Sequence, residues 1–224
     1  MKYSTVLFDL DGTLTDPFEG ITKSVQYALA HFDIHEPNLY KLKHFIGPPL
    51  KQTIEETYGL SSEQGDEALR MYRERFSVKG IYENKLYPGM VDLLSSLKNA
   101  GATLSIASSK PHYYIEKILI HFGIDEFFDV VSGSEMDGRR TDKAEVIQHA
   151  LASLDSEPSP RVVMVGDRIH DADGARRVGI DFVAAGYGYS EEDEFCEAPH
   201  VALVNSVPEL KSFLLDDELP TVIQ

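Results

Sequence analysis

From Tyr87 to Leu215 short apolar runs alternate with amphipathic helical stretches, and that alternation constrains the fold more than any other feature of the chain. Runs of about five residues suit strands, and strands separated by helices pair in parallel through crossover connections. The spacing predicts strands over 103–107, 127–132, 161–165, 181–185 and 201–204. It predicts helices carrying Val91, Leu94 and Leu97 up to Gly101, and from Pro111 through Ile115, Ile118, Leu119 and Phe122. Further helices are expected over 141–154, over 172–178 before Gly179, and over 206–215, with a loose tail from Asp216. One more strand, 5–8, stands apart from this series, and nothing between Thr15 and Lys85 reads as a strand. That block predicts a helix with Asp16 as N-cap, followed by Pro17 and Glu19, with Ile21, Val25, Ala28, Leu29 and Phe32 at helical spacing. A second helix follows Pro48 or Pro49 and ends at Tyr58. A third starts near Ser61, where Gln64 completes a capping box, and carries Ala68, Leu69, Tyr72 and Phe76 on one face. The expected fold is α/β: a Rossmann-like parallel sheet core with helices on both faces, formed by 1–15 and 86–224, with an all-helical insertion over 16–85.

The isolated strand runs directly into Asp9-Leu10-Asp11-Gly12-Thr13. Residues two apart on a strand point the same way, so Asp9 and Asp11 share one side at its carboxyl end. Two carboxylates that close raise each other's pKa unless a cation lies between them. Oxygen-only donors of this kind suit a hard divalent ion, and Mg2+ commonly pairs one or two carboxylates with a substrate phosphate. Gly12 permits a tight turn, and Thr13 adds a hydroxyl and an amide.

Ligands of a parallel sheet gather beyond the carboxyl ends of its strands. Ser108, Ser109 and Lys110 follow one such end, where a hydroxyl and the start of a helix can receive an anion; taken alone they also read as an ordinary turn. Lys143 lies in the first turn of a helix whose expected N-cap is Thr141, the wrong end for a cation, which suggests an anion nearby or a solvated lysine. The apolar run 162–165 ends in Gly166-Asp167-Arg168-Ile169-His170-Asp171, either helix-capping acids or part of one site with Asp9 and Asp11. His170 reads as a solvent-facing helix residue.

A formal charge of −16 argues against nucleic acid as a partner, because phosphate backbones are held by clustered Lys and Arg. The acids of the 190–197 loop read as solvating. No stretch approaches the roughly 20 apolar residues of a membrane span. With one cysteine, Cys196, no intrachain disulfide can form, and a soluble, cytoplasmic protein is expected.

Phe8 to Asp16, F-D-L-D-G-T-L-T-D, resembles the first motif of the haloacid dehalogenase superfamily in the form its phosphatases carry. The helical insertion resembles the cap of the phosphoglycolate phosphatase-like subgroup, and Phe45-Ile46-Gly47-Pro48-Pro49-Leu50 is similar to a loop of those caps. The resemblance implies Asp9 as a nucleophile forming an aspartyl-phosphate and Asp11 as general acid and base. It implies Thr13, Ser108, Ser109 and Lys143 as phosphate-binding groups, with Lys143 also serving catalysis. It implies Mg2+ held by Asp9, the Asp11 backbone carbonyl and Asp167, with Asp171 in support. A cap that closes over the site would choose the substrate through Gly47, Pro48 and Lys51. The implied activity is hydrolysis of a small phosphorylated metabolite such as phosphoglycolate, a sugar phosphate or a nucleoside monophosphate. A phosphosugar mutase, a phosphonate hydrolase using a cap lysine, and a non-catalytic binding protein on this fold are the alternatives.

Overall fold

The computed structural model describes residues 1–154, 161–191, 193–196 and 198–216; the tail expected from Asp216 lies almost wholly outside them. The chain separates into two compact units, Met1–Leu14 with Leu86–Gln224, and Thr15–Lys85.

The first unit is built on six parallel strands: β1 (Thr5–Phe8), then β4 (Thr103–Pro111), β5 (Val130–Ser134), β6 (Val162–Gly166), β7 (Asp181–Ala185) and β8 (Ala202–Val204), in the spatial order β5-β4-β1-β6-β7-β8. The numbers β2 and β3 belong to Thr15–Asp16 and Lys85–Leu86, two-residue strands that pair with each other where the chain passes between the units. They are too short to leave an alternating pattern, which is why the sequence of that block shows no strand. Every residue of β1 and β6 is buried, as expected of inner strands covered on both faces. Leu7, Met164, Phe182 and Ala184 form one face of the sheet, packed against Val146, Ile147 and Ala150 of α6 (Lys143–Ala152) and Ala172 and Ala175 of α7 (Ile169–Val178). On the opposite face Val6 and Phe8 are equally buried. Two further helices of this unit, α4 (Met90–Asn99) and α8 (Val207–Leu215), pack on each other. The remaining helix, α5 (His112–Phe122), packs on β4 and β5.

Several boundaries differ from expectation. The buried stripe of α4 is Met90, Leu93, Leu94 and Leu97, while Val91 is 48% exposed, because a turn of 100° per residue carries it off that face. The segment 125–127 is a 3-10 turn, so β5 starts at Val130. Asp142 rather than Thr141 caps α6, its side chain accepting from the Glu145 amide at 3.2 Å. α7 begins three residues earlier than expected, at Ile169. Its first amide donates to the Glu194 carboxylate at 2.6 Å, and Asp171 accepts from the Arg168 amide at 3.0 Å.

The second unit holds α1 (Phe18–Ala30), α2 (Leu50–Tyr58) and α3 (Ser62–Phe76), with 3-10 turns at Leu39–Phe45 and Gly80–Tyr82. The N-cap of α1 is Pro17; Asp16 stands one residue earlier and accepts from the Phe18 amide at 3.0 Å. Gly59 closes α2 with φ +66°, and the Ser61–Gln64 capping box opens α3 as its sequence indicates. Ala68, Tyr72 and Phe76 are buried along α3, with Leu69 half-buried.

Candidate active site

The ladder continues one residue past β1, where the Asp9 amide donates to the Val165 carbonyl at 2.9 Å, and the chain then turns sharply at Gly12, φ +83°. Asp9 and Asp11 are thereby delivered as buried carboxylates at the sheet's carboxyl edge. A Cβ on Gly12 would lie 2.0 Å from Asp167 Oδ2, so the turn must be glycine both for its backbone angle and for the acid packed on it. Thr13 is fully buried. Its hydroxyl donates to Asp167 Oδ1 at 3.2 Å and its amide closes the turn onto the Leu10 carbonyl at 3.3 Å, so the amide that the sequence left available is engaged within the protein.

Lys143 resolves its misplacement at a helix start by pointing inward. Its ammonium lies 3.0 Å from Asp9 Oδ1, 2.6 Å from Asp171 Oδ1 and 3.1 Å from the Ala107 carbonyl. Burial pulls this lysine down, but Asp171 and Asp9 outweigh that and hold it above the ordinary lysine value. Asp171 is pushed up to about 6, by burial first, against the opposing pull of Lys143. Asp167, buried between two other acids, is raised well above the usual carboxylate range, chiefly by burial and then by Asp171 and Asp9. Its second oxygen accepts from the Tyr189 amide at 2.8 Å.

Asp9, Asp167 and Asp171 each offer an oxygen within 4.8 Å of the others. Among the described residues Lys143 is the ammonium seen against these three acids, so the cluster holds more acids than compensating cations. A hard divalent cation fits that donor set and that charge.

At the end of β4, Ser108 is buried and its hydroxyl accepts from the Lys110 amide at 3.4 Å. The Ser109 hydroxyl is turned to the Thr141 carbonyl, 3.1 Å away, and serves as a tie between loops. The Lys110 ammonium reaches Asp11 Oδ2 at 2.5 Å. Burial raises the Asp11 pKa, and Lys110 opposes the shift without cancelling it. Asp11 Oδ1 is buried with no hydrogen-bond partner among the described residues.

In the sequence Lys110 carries no signal beyond its place near a strand end. Glu194, one of the acids that read as solvating, is instead paired with Arg168 at 2.9 Å and caps α7, the helix that carries Asp171; Glu192 and Glu197 of that loop lie outside the described residues. Tyr187, which has no signal in the sequence, donates its hydroxyl to the Thr13 carbonyl at 3.0 Å. Within the helical unit, Gly47 takes φ +104° beside Pro48, and Lys51 is bound to Asp66 at 2.5 Å and to Ser62 at 3.2 Å.

The sequence model for the haloacid dehalogenase-like hydrolases matches residues 6–185. The chain belongs to that family. This hydrolase is 49% identical over 194 residues to the 5'-nucleotidase of Pseudomonas aeruginosa, covering 87% of each chain. It is 44% identical over 188 residues to the tyrosine-protein kinase PtkA of Mycobacterium tuberculosis, which spans 84% of the hydrolase and 64% of that relative. The crystal structure of a predicted phosphatase from Clostridium acetobutylicum superposes on it with a TM-score of 0.91 at 43% identity, covering 96% of the hydrolase and 99% of that chain. The family match, the 5'-nucleotidase and the predicted phosphatase place the hydrolase among the family's phosphatases, enzymes acting on phosphoric monoesters. No helix among the described residues is long and apolar enough to cross a membrane.

Proposed function

We propose that the protein is a Mg2+-dependent phosphatase of small phosphomonoesters working through an aspartyl-phosphate on Asp9. The observation that carries this reading is the buried Asp9 carboxylate, held by the Lys143 ammonium within a three-acid cluster, with a second buried carboxyl two residues on. The ion would be held by Asp9, Asp167 and the Asp11 backbone carbonyl with Asp171 in support, and when bound it supplies neutralisation of the phosphoryl oxygens. Asp9 attacks phosphorus, and the bond to the leaving oxygen breaks with its electron pair going to that oxygen, which takes a proton from the Asp11 carboxyl. Asp11, now ionised, removes a proton from the water that attacks the aspartyl-phosphate, releasing phosphate and restoring Asp9. Lys143 holds Asp9 in line, and the Ser108 hydroxyl binds a phosphoryl oxygen, while Thr13, engaged with Asp167 and Leu10, holds the turn at Gly12. The raised pKa of Asp11 favours the protonated form that the first step requires.

The helical unit Thr15–Lys85 is proposed as the element that selects the leaving group, through Gly47, Pro48 and Lys51. The relationship to a protein named 5'-nucleotidase puts nucleoside 5'-monophosphates first among candidate substrates, ahead of phosphoglycolate and sugar phosphates. The test is phosphate release from such a panel with Mg2+ or with EDTA, using Asp9→Asn as control. Metal-dependent release that the substitution abolishes is expected. Release that survives either EDTA or Asp9→Asn would overturn the mechanism, and isomerisation of a sugar phosphate in place of hydrolysis would identify a mutase.

A further inference from the structure

We propose that Lys110 is a positioning residue for the proton-transferring carboxyl: it fixes Asp11 by one oxygen and leaves the other as the oxygen that exchanges protons with the leaving group and then with water. The proposal rests on the reading of Asp11 as acid and base, and adds to it a residue and an assignment of the two oxygens.

The geometry is specific. Lys110 Nζ lies 2.5 Å from Asp11 Oδ2, and the two side chains are only 8% and 10% exposed. The backbone that carries Lys110 is tied from three sides. Its own amide donates to the Ser108 hydroxyl, the neighbouring Ser109 carbonyl accepts from the Ser134 hydroxyl at 2.8 Å, and the Ser109 hydroxyl donates to the Thr141 carbonyl. A carboxylate turns about its last torsion with broad, roughly two-fold freedom, so without a partner on Oδ2 either oxygen could face the reacting atoms. With Lys110 in place only Oδ1 is left, and that oxygen is the buried acceptor without a hydrogen-bond partner among the described residues. An ammonium is suited to the task because it meets one oxygen as a point charge, whereas a guanidinium fork tends to engage both oxygens of a carboxylate.

Leaving-group dependence separates positioning of the acid from general damage. An alkyl phosphate or a nucleoside monophosphate needs its leaving oxygen protonated, whereas p-nitrophenyl phosphate expels a stable anion with little help. In Lys110→Met and, as a second variant of different polarity, Lys110→Gln, pre-steady-state kinetics in Mg2+ would be measured on both substrate types beside the native enzyme and Asp11→Asn. With p-nitrophenyl phosphate both variants should keep a burst of about one nitrophenolate per site, followed by slow turnover as water attack becomes limiting. With the alkyl ester the burst should vanish and kcat should fall by roughly 100-fold or more, within the span that general acid catalysis supplies, while KM stays within about threefold. Lys110→Arg should resemble Lys110→Met. The proposal is overturned if both variants keep alkyl-ester turnover, if they lose the burst and turnover equally on both substrates, or if Lys110→Arg restores native rates. Failure of the underlying reading has a different signature: the native protein itself would form no acid-stable phosphoprotein and show no burst with either substrate.

Discussion

Replacing Lys143 by methionine removes the buried cation paired with Asp9 and Asp171, and the geometry sets the scale of the damage. Unit charges at the observed 2.6 and 3.0 Å attract by about 6 kcal/mol each at an effective dielectric of about 20. Returning the ammonium to water recovers several kcal/mol of that, and the carboxylates escape part of the remainder by taking up protons. The expected loss in the metal-free protein at pH 7.5 is therefore about 3–5 kcal/mol, the range found when one partner of a buried pair is removed. Urea unfolding in EDTA, followed by circular dichroism, measures it. The double variant Lys143→Met with Asp171→Asn should lose less than the single one, because it leaves fewer uncompensated charges. A single-variant loss below about 1 kcal/mol, or a double variant less stable than the single, would refute the claim that Lys143 compensates a buried acidic cluster.

Two further outcomes are expected. Asp171 keeps its proton in the folded protein up to about pH 6, whereas an ordinary aspartate releases it near 3.8, so between those values the folded state binds more protons than the unfolded chain. Metal-free stability should then fall as pH rises through that window by about 3 kcal/mol from this group, and Mg2+ should raise the melting temperature more at pH 7.5 than at pH 5; a metal increment independent of pH would contradict this. Gly12→Ala forces a left-handed backbone on a residue with a Cβ, costing about 1–3 kcal/mol, and drives that atom into Asp167. Calorimetric titration should find Mg2+ affinity reduced at least tenfold, and native affinity in a folded variant would show that Gly12 does not set the position of Asp167.

Much of the site is legible in the sequence because each acid follows a strand that can be read by itself. An apolar run ending in D-x-D-G-T and another ending in G-D-x-x-x-D announce a shared carboxyl edge, and Lys143 declares itself by standing at the wrong end of a helix. Lys110 left no comparable trace, since its partner Asp11 is 99 positions away and the local pattern reads as a turn before a helix. Glu194 was hidden for the same reason, sitting among other acids while its partners Arg168 and Ile169 are on another element. The smaller misses are local competitions. Thr141 and Asp142 are both good caps, and what decides between them is which side chain reaches the third amide of the helix. Val91 is apolar, but only the phase of α4 determines that Met90 and Leu93 take the buried face in its place.

The strand order also governs how the active site comes into being. β1 lies between β4 and β6, and its Thr5 is in register with Thr103 on one side and Val162 on the other. Both neighbours are far downstream, so the pairing that fixes Asp9 and Asp11 has high contact order and folds slowly, whereas the helical insertion rests on local contacts. Asp167 and Asp171 arrive with and just after β6, so the acidic cluster cannot be completed until the chain has been made as far as Asp171. Until β4 is made Val6, Leu7 and Phe8 form an apolar strand with no partner on either edge, and until β6 follows one edge stays open, the kind of surface on which a nascent chain aggregates unless it is shielded.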